Sequence, residues 1–276
     1  MSDISATPLV TVYMTVKNGL PFIRQAIDSI LHQSYVNWEA VIVDDGSSDG
    51  TDAWLRDLSL GDTRFNVVLT SGVGRAAALN LALGKARGEW VANLDADDIF
   101  HPKKLEIQIA CLVANPEIEF LCSLGKEFRE EIPFLHLPDP IPEPVDVSRA
   151  MAIQNRVGHS SVMICRKSLM KVGGYNEERT MQVDLDLWYR LLLSGVKIYM
   201  HKFTLRGKRV HDRQSYENKK RYRYIYSSYL LRKSYLNQTG GNPTERLLST
   251  VVFVCGFIPP KFRQKFREIR NLKLRG

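Results

Sequence analysis

The chain has 276 residues, is 44% hydrophobic and 25% charged, and carries a formal net charge of +8. That profile excludes a disordered polyelectrolyte, a collagen-like repeat and a disulfide-stapled miniprotein, and it suits one large domain or a domain with an appendage. The charge is uneven. Residues 1–201 hold 19 Lys and Arg against 26 Asp and Glu, a balance of −7, whereas residues 202–276 hold 19 against 4, a balance of +15. The first part has the charge of an ordinary enzyme body; the second asks for a polyanion, either anionic lipid or nucleic acid. Cys111, Cys122, Cys165 and Cys255 show no metal-site spacing and read as buried, reduced thiols of a cytosolic protein. The polar stretch from Met1 to Pro8 lacks an export signal pattern.

Taken in order, Val10 to Val16 is a β-branched run that predicts a central strand, and Lys17-Asn18-Gly19 turns the chain. Pro21 opens a helix with Phe22, Ile23, Ala26, Ile27, Ile30 and Leu31 on one face. A second strand at Ala40–Val43 ends in Asp44-Asp45-Gly46-Ser47-Ser48-Asp49-Gly50-Thr51 and leads into a helix to about Leu58. A third strand, Asn66 to Thr70, is followed by Gly72-Val73-Gly74 and a helix from Arg75 to Ala86. Trp90 to Leu94 is the fourth strand. This alternation predicts an α/β fold built on parallel strands with helices on both faces. Further on, Pro102 starts a helix to about Ala114, and strands are expected at Ile118–Cys122, Ser160–Cys165 and Val196–Met200, the last after a helix over Asp184–Ser194. The proline-rich stretch around 134–147 reads as a surface loop.

The most informative stretch is Leu94-Asp95-Ala96-Asp97-Asp98. Three carboxylates within four residues repel one another, and Asp is a poor strand former. One solution is a divalent cation, Mn²⁺ or Mg²⁺, which prefers oxygen ligands, takes one or two carboxylates and completes its shell with water and phosphate oxygens. The other is a solvated acidic turn. The position, at the carboxyl end of a sheet strand, is where open α/β sheets bind ligands.

Gly72-Val73-Gly74-Arg75-Ala76-Ala77 also fits the dinucleotide fingerprint G-x-G-x-x-A, with Asp95 about twenty residues on. Against that reading, the fingerprint follows the third strand rather than the first, and Asp97 and Asp98 would face an unneutralised pyrophosphate.

The separated motifs, in this order, resemble a family-2 glycosyltransferase with the GT-A fold over roughly residues 9–215. They are the opening strand to Asn18, Val43 to Thr51, Arg75 with Asn80, Asp95 to Asp98 with Pro102, Gly173-Gly174-Tyr175, and Asp184 to Arg190. The resemblance implies a Rossmann-like mixed sheet and an inverting, metal-dependent transfer of a sugar from a nucleotide-sugar, UDP-linked, to a hydroxyl. It assigns the metal to Asp97 with Asp95 and His211, and donor binding to Thr15, Asp45, Arg75 and Asp95; Lys17, which stands where relatives carry an aromatic, is expected to touch the donor's phosphate instead. It makes Asp184 the base that takes the acceptor's proton, with Asp186 as competitor for that role. The chain departs from the pattern at Val16 and Lys17, where relatives carry a proline and a stacking aromatic, and at Val183, where they commonly carry Glu.

After the expected domain of residues 1–215, residues 216–276 read as a basic helical appendage. Lys219 to Tyr226 alternates cations with tyrosines, a pattern open to nucleic acid or to a helix packed on its tyrosines. Leu247 to Ile258 is apolar but shorter than the ~20 residues a membrane span needs. Lys261 to Arg270 sets Phe262, Phe266 and Ile269 on one face among cations, as in a segment lying in an anionic membrane interface. The expected partners are thus a nucleotide-sugar, a glycan or polyprenyl-linked acceptor and the inner face of the cell membrane, with no nucleic acid expected. A dinucleotide enzyme or a nucleic-acid-binding module are the alternatives.

Overall fold

The computed structural model describes residues 7–131, 136–211 and 221–258. The chain divides into two compact units, Met1–Ser148 with Arg156–Arg213, and Arg149–Asn155 with Gln214–Gly276.

The first unit contains, in order, β1 (Val10–Val16), α1 (Phe22–Leu31), β2 (Trp38–Asp44), α2 (Thr51–Gly61), β3 (Phe65–Leu69), α3 (Arg75–Lys85), β4 (Trp90–Asn93) and β5 (Ile99–Phe100). Next come α4 (Lys104–Ala114), β6 (Phe120–Phe128), β7 (Val145–Asp146), β8 (Met163–Cys165), α5 (Arg166–Lys171), α6 (Val183–Leu193) and β9 (Tyr199–Arg209). The described strands form one sheet in the order β3-β2-β1-β4-β8-β6-β9-β5, with β7 beside β9. The β3-β2-β1-β4 half is parallel throughout. β8 is antiparallel to both β4 and β6, and β5 is antiparallel to β9, so the sheet is mixed.

The parallel half follows directly from side-chain alternation. Val10, Val12, Met14 and Val16 of β1 pack on Ile23, Ala26, Ile27 and Ile30 of α1 in one apolar cluster. The odd residues of β1 face the other way and carry polar partners. Thr11 donates to Glu39 at 2.7 Å, and the Tyr13 hydroxyl lies 2.7 Å from that of Tyr175. Of the helix face expected around α1, Leu31 is exposed instead, at the last turn.

The later part departs from expectation. β9 begins after the expected Val196 and runs to Arg209, because Lys202, Arg206 and Lys208 break up the apolar alternation that marks a strand. The expected strand at Ser160 starts only at Met163, after a 3₁₀ turn over His159–Ser161. β7 falls inside the proline-rich loop, of which residues 132–135 lie outside the described residues. Of the cysteines, only Cys122 is fully buried; Cys255 is exposed, and all four are free.

One buried cation ties helix to turn. Lys104, fully enclosed, donates to Gln108 Oε1 at 2.5 Å and to the Val162 carbonyl at 3.2 Å, and it sits over the Phe100 ring. Gln108 in turn donates to the Ser161 carbonyl. Together they hold the 159–161 turn against α4. Burial pushes the Lys104 ammonium down to about 7. A free lysine titrates near ~10.4, so between those values the unfolded chain binds the extra proton. The burial cost is therefore complete below pH 7 and fades as pH rises toward 10. Stability contributed by this site should climb across pH 7–10 by at most ~1.4 kcal/mol per pH unit. Denaturant melts of Lys104→Met should show that slope flattened; an unchanged slope would remove Lys104 as its source.

Candidate active site

At the carboxyl end of β4 the chain makes a tight turn, closed by the Asp98 amide donating to the Asp95 carbonyl at 2.9 Å. Each carboxylate in it meets a different partner. Asp95 Oδ1 accepts from Arg75 at 2.7 Å and from His159 Nδ1 at 3.1 Å. Burial works to raise the Asp95 carboxyl, but Arg75, His159 and Arg206 outweigh it and hold the group well below the usual carboxylate range. The Arg75 guanidinium is raised in return, by Asp95 first and then by Asp184 and Asp97. Asp97 Oδ2 lies 3.1 Å from His211 Nε2, and the His211 ring packs against Phe22 at a tilt of 35°, with the centroids 4.3 Å apart. Asp98 is buried and anchors the turn to β9. It accepts from Ser160 at 2.7 Å, from Arg206 at 3.2 Å and from the Arg209 amide at 3.1 Å. Burial, helped by the charges of Asp95 and Asp97, lifts its carboxyl to about 7 despite Arg206.

Behind Asp95 runs a buried hydrogen-bond chain. His159 Nε2 lies 2.6 Å from the Tyr175 hydroxyl, which lies 2.7 Å from the Tyr13 hydroxyl. A carboxylate can only accept, so His159 Nδ1 carries the proton and Nε2 accepts from Tyr175. Tyr175 then accepts from Tyr13, while Arg75 Nη2 lies 3.2 Å from the same His159 Nδ1 and makes its shorter bond, 2.7 Å, to Asp95. Tyr175 is held by Asn80 of α3. The Asn80 Oδ1 accepts from the Tyr175 amide, and its Nδ2 donates to the Tyr175 carbonyl, both at 2.8 Å. Gly174 is required here: its φ is +64°, and a Cβ would lie 2.6 Å from Asn80 Oδ1. Arg190 of α6 closes the same turn by donating to the carbonyls of Val172 and Gly174. His159 and Tyr13 are thus central, although neither is among the site residues that the resemblance assigns; His159 reaches Asp95 64 positions away and Tyr13 reaches Tyr175 162 positions away.

Across from this cluster, Asp45 follows the end of β2. Its Oδ1 accepts from Thr70 at 2.9 Å, Val73 N at 2.6 Å and Gly74 N at 3.3 Å, while Oδ2 accepts from Gly74 N at 3.1 Å. The positive φ of Gly72 (+97°) and Gly74 (+92°) lets the turn present these amides to the carboxylate. Val73 and Gly74 thereby spend on Asp45 the amides a dinucleotide phosphate would need, and the fingerprint reading fails on that ground. Asp45 Oδ2 keeps acceptor capacity. Lys17 lies on the rim, its ammonium 3.5 Å from where a Cβ on Gly72 would stand. Thr15 is half-buried on β1 in register with Val43.

Asp184 occupies the first turn of α6, and its charge adds to the upward shift of Arg75, Tyr13 and Tyr175. Gln182, just before α6, adopts a left-handed backbone (φ 56°), a conformation that costs a non-glycine residue ~1 kcal/mol or more. Asp186 is instead bonded to Arg190 at 2.8 Å, one turn along, and stands 3.7 Å from Arg179.

The expected three-ligand set of Asp95, Asp97 and His211 is not assembled. Among the described residues no group of three or more His, Cys, Asp or Glu side chains is placed to hold a metal, because Asp95 is drawn to Arg75 and His159. Asp97 and His211 do converge. One carboxylate and one imidazole fit a divalent cation that takes its remaining ligands from water and a phosphate ester.

A family model described as glycosyl transferase family 2 matches residues 11–173. The chain is 34% identical over 200 residues to a putative teichuronic acid biosynthesis glycosyltransferase, TuaG, of Bacillus subtilis, covering 70% of this chain and 75% of that one. It is 30% identical over 220 residues to an uncharacterized glycosyltransferase of Rickettsia typhi, covering 78% of this chain and 68% of that one. Other relatives are longer, and the chain spans only 35% of one from Rickettsia felis. In fold it is similar to the mannosyltransferase PcManGT of Pyrobaculum calidifontis, solved with GDP-Man and Mn2+, at TM-score 0.63 and 18% identity over 98% of this chain and 81% of that one. It is likewise similar to S. aureus TarS 1–349, solved with UDP-GlcNAc, at TM-score 0.63 and 16% identity over 91% of this chain and 81% of that one. The match over residues 11–173 spans the carboxylate turn, Arg75, Asp45 and the 159–161 turn, and the chain belongs to the family 2 glycosyltransferases, with the GT-A fold.

Proposed function

We propose that the chain transfers a sugar, with inversion, from a nucleotide-sugar to a hydroxyl of a glycan or polyprenyl-linked acceptor in surface polysaccharide assembly, at the inner face of the cell membrane. The observation that carries this reading is the convergence of Arg75–Asp95–His159, Asp97–His211 and Asp184 beside the carboxyl ends of β1 and β4. The teichuronic acid assignment of the Bacillus relative and the nucleotide-sugars bound to the two structural neighbours support the same class.

In this reading Asp97 and His211 hold Mn²⁺ or Mg²⁺, which when bound supplies Lewis-acid neutralisation of the leaving diphosphate. Asp45 Oδ2 accepts from the imide N–H of the base, uracil in a UDP donor, and Thr15 lines the same end of the crevice. Lys17 places a charge on the rim where relatives would stack a ring. Asp95, kept ionised by Arg75 and oriented by His159, accepts from the donor's ribose, and Arg75 keeps positive charge beside the phosphates. Asp184 accepts the proton of the attacking hydroxyl.

Three experiments test these roles. In thermal-shift titrations with UDP- and GDP-sugars, Mn²⁺ should raise donor affinity, and Asp97→Ala should lose that gain by more than ~10-fold, since even outer-shell partners of a metal are worth about 10–100-fold. A variant with intact metal-dependent affinity would refute the metal assignment. Asp184→Asn should lower kcat by about 10²–10⁴-fold while donor binding stays as in the wild type; undiminished turnover would take the base role from Asp184. His159→Asn keeps an N–H near the Nδ1 position, whereas His159→Gln offers one only near Nε2. Donor KM should therefore rise in the Gln and Ala variants and stay near wild type in Asn, and an equal rise in all three would remove His159 as the group that orients Asp95.

A further inference from the structure

The second unit contains two helices, α7 (Arg221–Gln238) and α8 (Pro243–Gly256). α8 starts cleanly: Asn242 and Glu245 form a reciprocal capping box behind Pro243. The hairpin is closed by rings. Phe253 stacks on Tyr229 at 4.3 Å and meets Phe257 edge-on at 5.1 Å, and Tyr222 stacks on Phe257 at 5.6 Å. Arg221 donates to the carbonyls of Gly256 and Ile258, satisfying the end of α8.

What α8 does not do is bury its apolar side. Ser249 is its one buried residue. Leu247, Val251 and Val254, at i, i+4 and i+7, are 63%, 47% and 59% exposed, and Tyr222 and Tyr226, one turn apart on α7, are 63% and 54% exposed. A core helix would not leave such a stripe in water. It is too short to be a span: among the described residues no helix is long and apolar enough to cross a membrane. The occupant is indicated by charge. Residues 221–276 contain 12 Lys and Arg against 2 Glu, and of the 2 Glu, Glu245 is already paired with Arg149. A second copy would set this excess against itself, whereas an anionic bilayer offers both the apolar medium and the counter-charge.

We infer that the exposed apolar stripe of α8, with the tyrosines of α7 beside it, is the face by which the protein lies in an anionic lipid surface. The tyrosines suit the headgroup level, their rings apolar and their hydroxyls wet. This narrows the membrane contact expected of Lys261–Arg270, which lies outside the described residues, to a preceding helix. It rests on the reading that the acceptor is membrane-borne, but it is tested by binding alone.

The full-length protein should co-sediment with vesicles of phosphatidylcholine plus phosphatidylglycerol and far less with phosphatidylcholine alone. The triple variant Leu247→Ser, Val251→Ser, Val254→Ser keeps every cation, yet should partition about 10-fold or more weakly, as loss of buried CH₂ groups requires. Hydrolysis of donor in the absence of vesicles should be unchanged in that variant, which controls for folding. Wild-type-like vesicle binding by the variant would overturn the inference, leaving the cations as sole anchor. So would a wild-type dimer that the same three substitutions dissolve, which would make the stripe a protein interface. Vesicle binding that persists when no donor is ever turned over would instead overturn the enzymatic reading and leave this one standing.

Discussion

Three carboxylates sit within four residues at the end of β4, and the fold answers their repulsion by giving each a different counter-group. Two unit charges ~4 Å apart repel by about 4 kcal/mol at an effective dielectric of ~20, so the turn could not hold its shape with all three carboxylates left alone. Asp98 is met from β9 by Arg206 and the Arg209 amide, and from the 159–161 turn by Ser160. Asp95 is met from α3 and the 159–161 turn. Asp97 is met by His211, just past β9. The elements that surround the turn are therefore fixed by it as much as they fix it. Asp98 is thus the most deeply enclosed of the three, while Asp95 and Asp97 keep 26% and 33% of their side-chain surface exposed.

Much of this was legible in the residues themselves. The parallel half of the sheet announced itself because β1, β2 and β4 are β-branched or apolar runs ended by turn residues, and α1 repeats its isoleucines at helical spacing. β9 was truncated in expectation because its cations hide the alternation, although Arg206 and Arg209 are the very groups that reach back to Asp98 and Asp97. Two-residue strands such as β5 and β7 carry no periodic signal at all. The three-ligand metal set came from resemblance; in this structure Asp95 meets Arg75 and His159, a pairing that spacing along the chain does not announce. The chain from His159 through Tyr175 to Tyr13 was invisible for a similar reason: it joins residues up to 162 positions apart.

The basic C-terminal balance also looks different once partners are known. Formal charge counts every guanidinium equally, but several of them serve the unit's own architecture. Arg232 donates to the Ile153 carbonyl at 2.7 Å, Arg221 caps α8, and Arg246 donates to the Gly241 and Leu236 carbonyls. A guanidinium bonded to carbonyls keeps its full charge while losing its freedom to move. It still contributes to the field felt by a polyanion, but as a fixed source. That suits attraction to a broad anionic surface, where no single contact must be geometrically exact, more than the base-by-base stacking a nucleic-acid reader requires.

The same accounting bears on why a diphosphate donor would need a cation here. The arginines nearest the carboxylate turn are engaged before any ligand arrives: Arg75 by Asp95, Arg206 by Asp98, and Arg209 by the Asp97 and Arg129 carbonyls, with its guanidinium over Phe22 and Phe128. In the proposed reading, a diphosphate ester entering beside Asp95, Asp97 and Asp184 would add negative charge to a site whose nearest described arginines are already engaged. Drawing Arg75 away from Asp95 would uncover a carboxylate in order to cover a phosphate, with no net gain. A divalent ion at Asp97 and His211, in the proposed reading, would replace their carboxylate–imidazole contact and bring two positive charges with it. On the function proposed above, this engagement of the arginines is the reason a divalent ion, rather than a rearranged guanidinium, would offset the charge of the leaving diphosphate.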